Sequence, residues 1–534
     1  MSNQLKKVLT LRDLVLFGIG GTVGAGIFVS IGVGAVQSGP ALFLSFLLAC
    51  SACTISGLCF CEMASRVPTS GSSYSYTMSV LGEFPAFLIG SVLILDSIIS
   101  AAACARAWSS YVIVVLPFLP SYLSSVSLID HVCSISVLSA IVCAILGVVL
   151  FFGIKETTTF NNISTLLNVL VLSVFVFAGL PLADSSNWVP FAPNGVGGIV
   201  RGAGRIFFAF LGFDVVNCLA EETETTAKRM VPRAILLTIA IATCIYVLVS
   251  VSFVGLVPLG DINVNAPLSS AFTFRGYSSL AYIVGIGAVG NTLTSVLSNF
   301  LVQPRIMMRM ATDGLLPENL SFIDFRGVPR TALLISVSAS TITAFLVDFE
   351  TLADMVSVAS LVSLSTVCVC SVLARIRNIS SNTHGVTMDE ISSLDGGLDL
   401  GSPGGPDLHR FHQILILYIA LCVGAGGTLL YTNLIIGPIL ASLAIIALFA
   451  AIREFKAQET SPLVSDEWIF KVPLSPGLPL VGVFINTYLL LGLPPLALAR
   501  AVCVFATASA YYWLKLRRRT SHVQLREEVE EHKY

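Results

Sequence analysis

The sequence predicts an all-α, polytopic membrane protein, and three observations carry that reading. Of its 534 residues 55% are apolar and only 11% are charged, with a mean hydropathy of +0.88. A soluble domain uses about 25% charged residues to cover its surface, so this chain has too few to face water at its size. Apolar runs of bilayer length recur, as at residues 132–152, 166–182 and 235–256. Each crossing takes about 20 such residues, and the runs add up to about fourteen helices. Basic residues segregate to one side. With the N-terminus in the cytosol and alternating crossings, all of the 29 Lys and Arg except Arg106, Arg201, Arg205, Arg275 and Arg500 fall on the cytosolic face, as the positive-inside bias requires.

Taken in order, residues 1–13 form a short cytosolic head with Lys6, Lys7 and Arg12. The first apolar run, from near Leu14, has no small-residue cleavage site and reads as a retained span. Residues 14–182 and 197–374 hold five spans each, and the Ser-, Gly- and Asp-rich stretch 378–409 reads as a disordered cytosolic linker. Accessory spans fill 412–515, and 516–534 is a cytosolic tail of mixed charge. A formal net charge of −2 names no nucleic-acid partner. The 13 cysteines lie mostly inside apolar runs without metal-ligand spacing, so they read as packing residues and no metal or cofactor is expected.

The most informative stretch is GIGGTVGAGIF at residues 18–28. It fails as a dinucleotide loop, because Val23 stands at the third glycine position and no strand precedes it. Gly20 and Gly24 suit close helix packing. Yet four glycines within 20–26 also make the span a weak helix, at about 1 kcal/mol each relative to Ala. A second weak point is FAFLGFD at 208–214 in the sixth span, followed by Glu221 and Glu222. Interruptions in the first and sixth spans are what an inverted repeat of five helices produces. Unwound backbone at membrane depth survives only where it lines a cavity. Freed N–H groups there suit a carboxylate and freed C=O groups an ammonium, which points to an amino-acid-like solute.

Several motifs in this order resemble the cationic amino acid transporter branch of the amino acid–polyamine–organocation superfamily. They are GGTVGAGIFV at 20–29, CEMASRVPTSGSSYSY at 61–76, ARAWS at 105–109, FAFLGFD, QPRIMMRMATDGLLP at 303–317, and the tail motif VPLSPGLPLVGVFINTYLL at 472–490. The resemblance implies a LeuT-type fold, two inverted five-helix repeats plus about four accessory helices. It also implies that the backbone N–H groups of Gly24, Ala25 and Gly26 meet a substrate carboxylate. Carbonyls around Thr22, Phe208, Ala209 and Leu211 would then take the α-ammonium, with Phe213 closing over the ligand.

Side-chain selectivity is expected from the pocket walls. Asp96 lies inside the third span, where a carboxylate costs at least about 2.5–3.5 kcal/mol and is a functional candidate by default. By resemblance it faces the substrate and pairs with a cationic head, with Asn299 of the eighth span beside it. Arg205, before the second break, departs from the family pattern. If it pairs with Asp96, both charges are masked and the substrate is a neutral amino acid. At the position where proton-coupled relatives carry a lysine the chain has Asn168, which cannot titrate and so favours uniport or exchange. Glu62, Asp214, Glu221 and Glu222 read as gate or loop ion pairs with Arg66 and Lys228.

The function that follows is alternating-access transport of amino acids, foremost lysine, arginine or ornithine. A membrane amino acid sensor without net transport is the alternative from a different class. The partners expected are an amino acid and membrane lipid. An enzyme is not expected, since no nucleophile arrangement or metal spacing lies at the bilayer midplane. The plasma membrane is the expected location, an endolysosomal or vacuolar membrane the alternative.

Overall fold

A computed structural model describes residues 10–67, 72–124, 126–129, 133–151, 158–213, 216, 227–322, 329–376, 406–431, 436–458 and 470–516. Lipid offers the backbone no hydrogen-bond partners, so apolar segments of spanning length satisfy their own peptide groups as helices. The first pass starts at a capping box. The Thr10 hydroxyl accepts from the Asp13 N–H at 3.4 Å, and Asp13 Oδ2 accepts from the Thr10 N–H at 3.1 Å. This cap starts the helix at Leu11, inside the stretch expected to be head. The pass consists of two helices, α1 (Leu11–Thr22) and α2 (Ala25–Ser38). The second pass is α3 (Leu42–Arg66), followed by the short α4 (Ser72–Leu81) and the long third pass α5 (Glu83–Val115). Then come α6 (Val137–Phe151) and α7 (Thr158–Gly179).

The second set opens with α8 (Gly195–Ile206), which ends in a 3-10 turn, and continues with α9 (Ala227–Leu256), the short α10 (Pro267–Phe274), α11 (Ser278–Thr312), α12 (Arg330–Leu346) and α13 (Phe349–Ile376). Two pairs complete the chain: α14 (Pro406–Tyr431) with α15 (Ile436–Gln458), and α16 (Gly477–Leu491) with α17 (Pro495–Tyr511). Among the described residues nine segments are long and apolar enough to cross a membrane, and three shorter apolar helices, α6, α12 and α16, accompany them. One of the nine, Gly26–Arg66, holds both α2 and α3, and α8 adds a further pass, which reaches the expected total of about fourteen.

Three expectations need correction. The apolar run at 132–152 is not all helix. Cys133–Ile135 pairs antiparallel with Val126–Ile129, so a two-stranded hairpin precedes α6 within an otherwise all-α fold. Its second strand is fastened by Arg106 of α5, whose Nη1 donates to Ser134 Oγ at 2.8 Å while its Nε donates to the carbonyl of Ala344 at 2.6 Å. The guanidinium thus caps the C-terminal carbonyls of α12 and holds the hairpin beside it. Second, the 378–409 linker lies outside the described residues except for 406–409, where α14 has already begun. Third, the Arg205–Asp96 pair is not formed, as described below.

The core lies between the two sets of five. Tyr246 packs between Phe46 and Phe210, with ring centroids 5.5 and 5.0 Å away. By contrast α14 and α15 expose Ile416, Leu417, Ile446 and Phe449, apolar faces suited to lipid.

Candidate functional site

The first pass stops being helical at Val23 and Gly24. A helix that ends at membrane depth leaves carbonyls on one side of the gap and N–H groups on the other without helical partners. Side chains from three other helices meet the carbonyls. Tyr246 Oη of α9 lies 2.7 Å from the Thr22 oxygen. Asn291 Nδ2 of α11 donates to the Val23 oxygen at 3.2 Å, and Asn168 Nδ2 of α7 donates to the same atom. The N–H side is treated differently. Gly24, the N-cap of α2, has no side chain with which to cap it, and the first turn of α2 carries no acidic residue.

The sixth pass breaks in another way. α8 tightens into the 3-10 turn Phe207–Phe210, the Leu211 N–H donates to the Phe208 carbonyl at 3.3 Å, and Gly212 then adopts a φ of +110°. A side chain at Gly212 would be strained by that φ and blocked as well, because its Cβ would lie 2.4 Å from the carbonyl carbon of Gly21. A Cβ on Gly26 would lie 2.5 Å from the Ala209 Cα. The two breaks therefore touch backbone to backbone. Tyr246 joins them, since its hydroxyl is also 2.7 Å from the Ala209 oxygen.

A cavity lies against this junction. Thr22, Gly24 and Gly26 line it from the first pass and Phe208, Leu211 and Phe213 from the sixth. Ala209 sits at the junction behind it, and Ala25 opens α2. Asp96 of α5 and Asn299 of α11 form part of the wall. Ser360 Oγ of α13 lies 3.4 and 3.5 Å from the two Asp96 oxygens, and Asn299 commits an amide hydrogen to the Ser295 carbonyl at 2.9 Å. The space left for the centres of water-sized molecules is about 140 Å³. One water needs about 10–15 Å³ on that scale, so the hollow displaces on the order of ten waters, a small solute. Thr22 Oγ1 is buried there without a hydrogen-bond partner among the described residues. Phe213 stands edge to face with Phe60, 5.8 Å between centroids at 86°.

Known proteins share much of this sequence. The amino acid permease family matches residues 9–394, and the family describing the C-terminus of these permeases matches 470–519. The chain belongs to the amino acid permease family. It is 34% identical over 533 residues to "Cationic amino acid transporter 4, vacuolar" of Arabidopsis thaliana, covering 92% of this chain and 88% of the relative. It is 34% identical over 383 residues to the "Methylthioribose transporter" of Bacillus subtilis, and 35% identical over 380 residues to a branched-chain amino acid permease of the same bacterium, each alignment covering 70% of this chain and 82% of the relative. The chain is thus an integral, multi-pass amino acid transporter and not an enzyme.

In this permease the charged residues gather at the two ends of the broken pair. Arg205 reaches α13, with Nη1 2.8 Å from Glu350 Oε1 and Nε 3.6 Å from Asp354 Oδ1. Its carboxylate partners are therefore on α13 and not Asp96, which removes the specific argument for a masked, neutral pocket. At the other end Glu62 of α3 is fully buried. Its Oε1 accepts from Arg66 Nη2 at 2.9 Å and Arg375 Nε at 2.7 Å, while its Oε2 accepts from Arg375 Nη2 at 2.7 Å and the Val472 N–H at 3.0 Å. The Glu62–Arg66 pair matches the sequence reading, and Arg375 and Val472 extend it. Asp214, Glu221, Glu222 and the Lys228 side chain lie outside the described residues.

Sequence reasoning missed Tyr246, Asn291 and Ser360, and the acidic partners of Arg205. For Glu350 and Asp354 a signal existed, because they are carboxylates at the start of an apolar run, as unusual there as Asp96 is in its own. Tyr246 carries no such mark in the sequence.

Proposed function

We propose that this permease carries amino acids with cationic side chains across the membrane by alternating access, with both termini in the cytosol. The observation that carries the reading is the hollow between two touching helix breaks, with the N-terminus of α2 on one side and Asp96 on another. The N–H groups of Gly24, Ala25 and Gly26 receive the substrate carboxylate, aided by the positive end of the α2 dipole. The ammonium takes the carbonyls of Phe208 and Leu211 and the second lone pairs of Thr22 and Ala209, each carbonyl having two. The Thr22 hydroxyl gains its missing partner in the same step. Asp96 pairs with the cationic head, and Phe213 packs over the bound solute.

Three points support the cationic reading. Arg205 is neutralised by Glu350 and Asp354, so its own guanidinium does not stand unpaired against an entering cation. Asp96 sets a carboxylate on the cavity wall, complementary in charge to a cationic head. The relative aligned over 92% of this chain bears the name of a cationic amino acid transporter. Coupling follows from Asn168. Its amide holds the Val23 carbonyl together with Asn291, and two amides that cannot titrate leave no proton carrier there, which favours uniport or exchange. Arg205, Asp214 and Glu222 act as gate residues in this scheme. A plasma or vacuolar membrane is the setting.

Uptake into proteoliposomes, with competition by each of the twenty amino acids, tests the proposal. Lysine, arginine and ornithine are expected to show saturable flux. Asp96→Asn lowers their uptake about tenfold to a hundredfold, the loss of a charge-assisted hydrogen bond, while neutral uptake persists. Equal loss of both would remove Asp96 from selectivity. Tight binding without flux would make the protein a sensor, and uptake rising steeply with an inward proton gradient would overturn the role given to Asn168.

A further inference from the structure

We infer that serine hydroxyls of α5 and α13 form a shell of hydrogen-bond acceptors around Asp96, so that the cavity selects a side-chain end made of donors alone, an ammonium or a guanidinium; this rests on the transport reading above. Three helices that wall the cavity each carry a Ser-x-x-Ser pair there, at 97–100 in α5, 295–298 in α11 and 360–363 in α13. Residues three apart share a helix face, and all six of these serines line the cavity. Small residues also serve close helix packing in membranes. What these hydroxyls can do for a solute depends on where their hydrogens point.

A hydroxyl has one hydrogen and two lone pairs. Ser97 Oγ donates to the Leu93 carbonyl at 3.0 Å, and Ser360 Oγ donates to Asp96 Oδ1 at 3.4 Å. Neither a carbonyl nor a carboxylate has a hydrogen to return, so both serines are the donors. Ser363 Oγ donates to Ser73 Oγ at 2.9 Å. The hydrogens of these three serines are thus turned into the protein. Each is buried yet not sealed, since Ser97, Ser360 and Ser363 keep 9, 6 and 5% of their surface accessible. A solute in the cavity meets their oxygens. α11 differs: its Ser295 also donates inward, to the Asn291 carbonyl at 3.0 Å, but Asn299 has a second amide hydrogen besides the one given to the Ser295 carbonyl. The acceptor surface therefore belongs to α5 and α13, the helices that bring Asp96 and Ser360 together.

This division matches a cationic head. The ammonium of lysine has three N–H donors and the guanidinium of arginine has five, with no acceptor on either. Asp96 supplies the charge, and the hydroxyl oxygens take hydrogens that one carboxylate leaves over. A carboxamide or carboxylate end would bring lone pairs against lone pairs. These three hydroxyls could turn to meet it only by giving up bonds they already make, so the wall rejects such ends as well as attracting cations.

The test is Ser97→Ala, Ser363→Ala and the two together, in proteoliposome uptake of lysine and its inhibition by norleucine, which is lysine's chain without the ammonium. Lysine uptake, as kcat/KM, falls about tenfold in each variant, the loss of one hydrogen bond to a charged group, while the norleucine concentration needed to inhibit stays level. Undiminished lysine uptake in the double variant would show that the serines only pack helices. Equal weakening of lysine and norleucine would show a structural role and equally overturn the proposal. Citrulline has arginine's shape with a carbonyl oxygen in place of one amino group. Against wild-type arginine uptake it should compete at least about a hundredfold more weakly than arginine itself; competition as strong as arginine's would overturn the acceptor shell. The contrast between lysine and norleucine is also readable as the shift in melting temperature each produces. A wild-type protein that binds lysine without flux would therefore sink the transport reading while still testing the serines.

Discussion

The two helix breaks solve one problem in opposite ways. The break at Val23 and Gly24 is abrupt: helix resumes at once, and the stranded carbonyls are met by Tyr246, Asn168 and Asn291 from three other passes. The break after Ile206 is gradual, winding into a 3-10 turn that uses its own Leu211 N–H before Gly212 reverses the backbone. The carbonyls of the first break thus depend on three other passes, whereas the 3-10 turn of the second meets part of its own need. The start of α2 brings the positive end of a helix dipole to this junction, which suits an anion there.

The largest effect is expected where the breaks touch. Gly212→Ala forces a Cβ into the Gly21 carbonyl at a φ of +110° and should destabilise by about 3 kcal/mol or more, read as a lowered melting temperature in detergent. Wild-type stability would mean that the breaks are not held in contact. Tyr246→Phe keeps the ring packed between Phe46 and Phe210 but removes the hydroxyl that serves both breaks. It should cost about 1–3 kcal/mol and weaken amino acid binding, whereas a silent variant would show that the breaks are independent. Asn168→Leu strikes the first break alone. With Asn291 still bonded to Val23, the expected cost is about 1 kcal/mol, and uptake should remain insensitive to a proton gradient.

The smallest effect lies at the start of the first pass. Thr10→Ala removes a helix cap at a cost of about 1 kcal/mol. The Thr10 hydroxyl, which donates to Asp13 Oδ2 at 2.7 Å, is the main reason that the Asp13 carboxyl sits below its ordinary value of 3.8, with the Thr10 N–H and Asn162 adding to it and partial burial opposing it. A carboxyl whose folded pKa is depressed stabilises the fold above its unfolded pKa, and that share is lost as pH falls through the folded value. The gap in melting temperature between wild type and Thr10→Ala should therefore narrow below about pH 4. A gap that widened in acid would reverse the assignment.

The fold was legible because each span writes its length and polarity into the chain, and glycine density marked where the first helix gives way. The hairpin was not, because Cys133, Ser134 and Ile135 are read as part of an apolar run whether strand or helix. The cavity-lining glycines and Asp96 stood out as residues that cost energy where they lie. Tyr246 and Asn291 did not, because an aromatic or an amide in a long helix is ordinary until its neighbours are known. The choice of Glu350 and Asp354 by Arg205 is likewise tertiary: hydropathy finds buried charges but not which helices face each other.

Glu62 carries a consequence for how the molecule is made. Its carboxylate accepts from a backbone amide 410 residues downstream while balancing two arginines. During synthesis the second helix is inserted long before that amide exists, so the nascent bundle holds an incomplete knot of charge. Assembly is finished from the tail. A chain that stops before Val472 leaves Glu62 Oε2 without this backbone donor, and the knot untied.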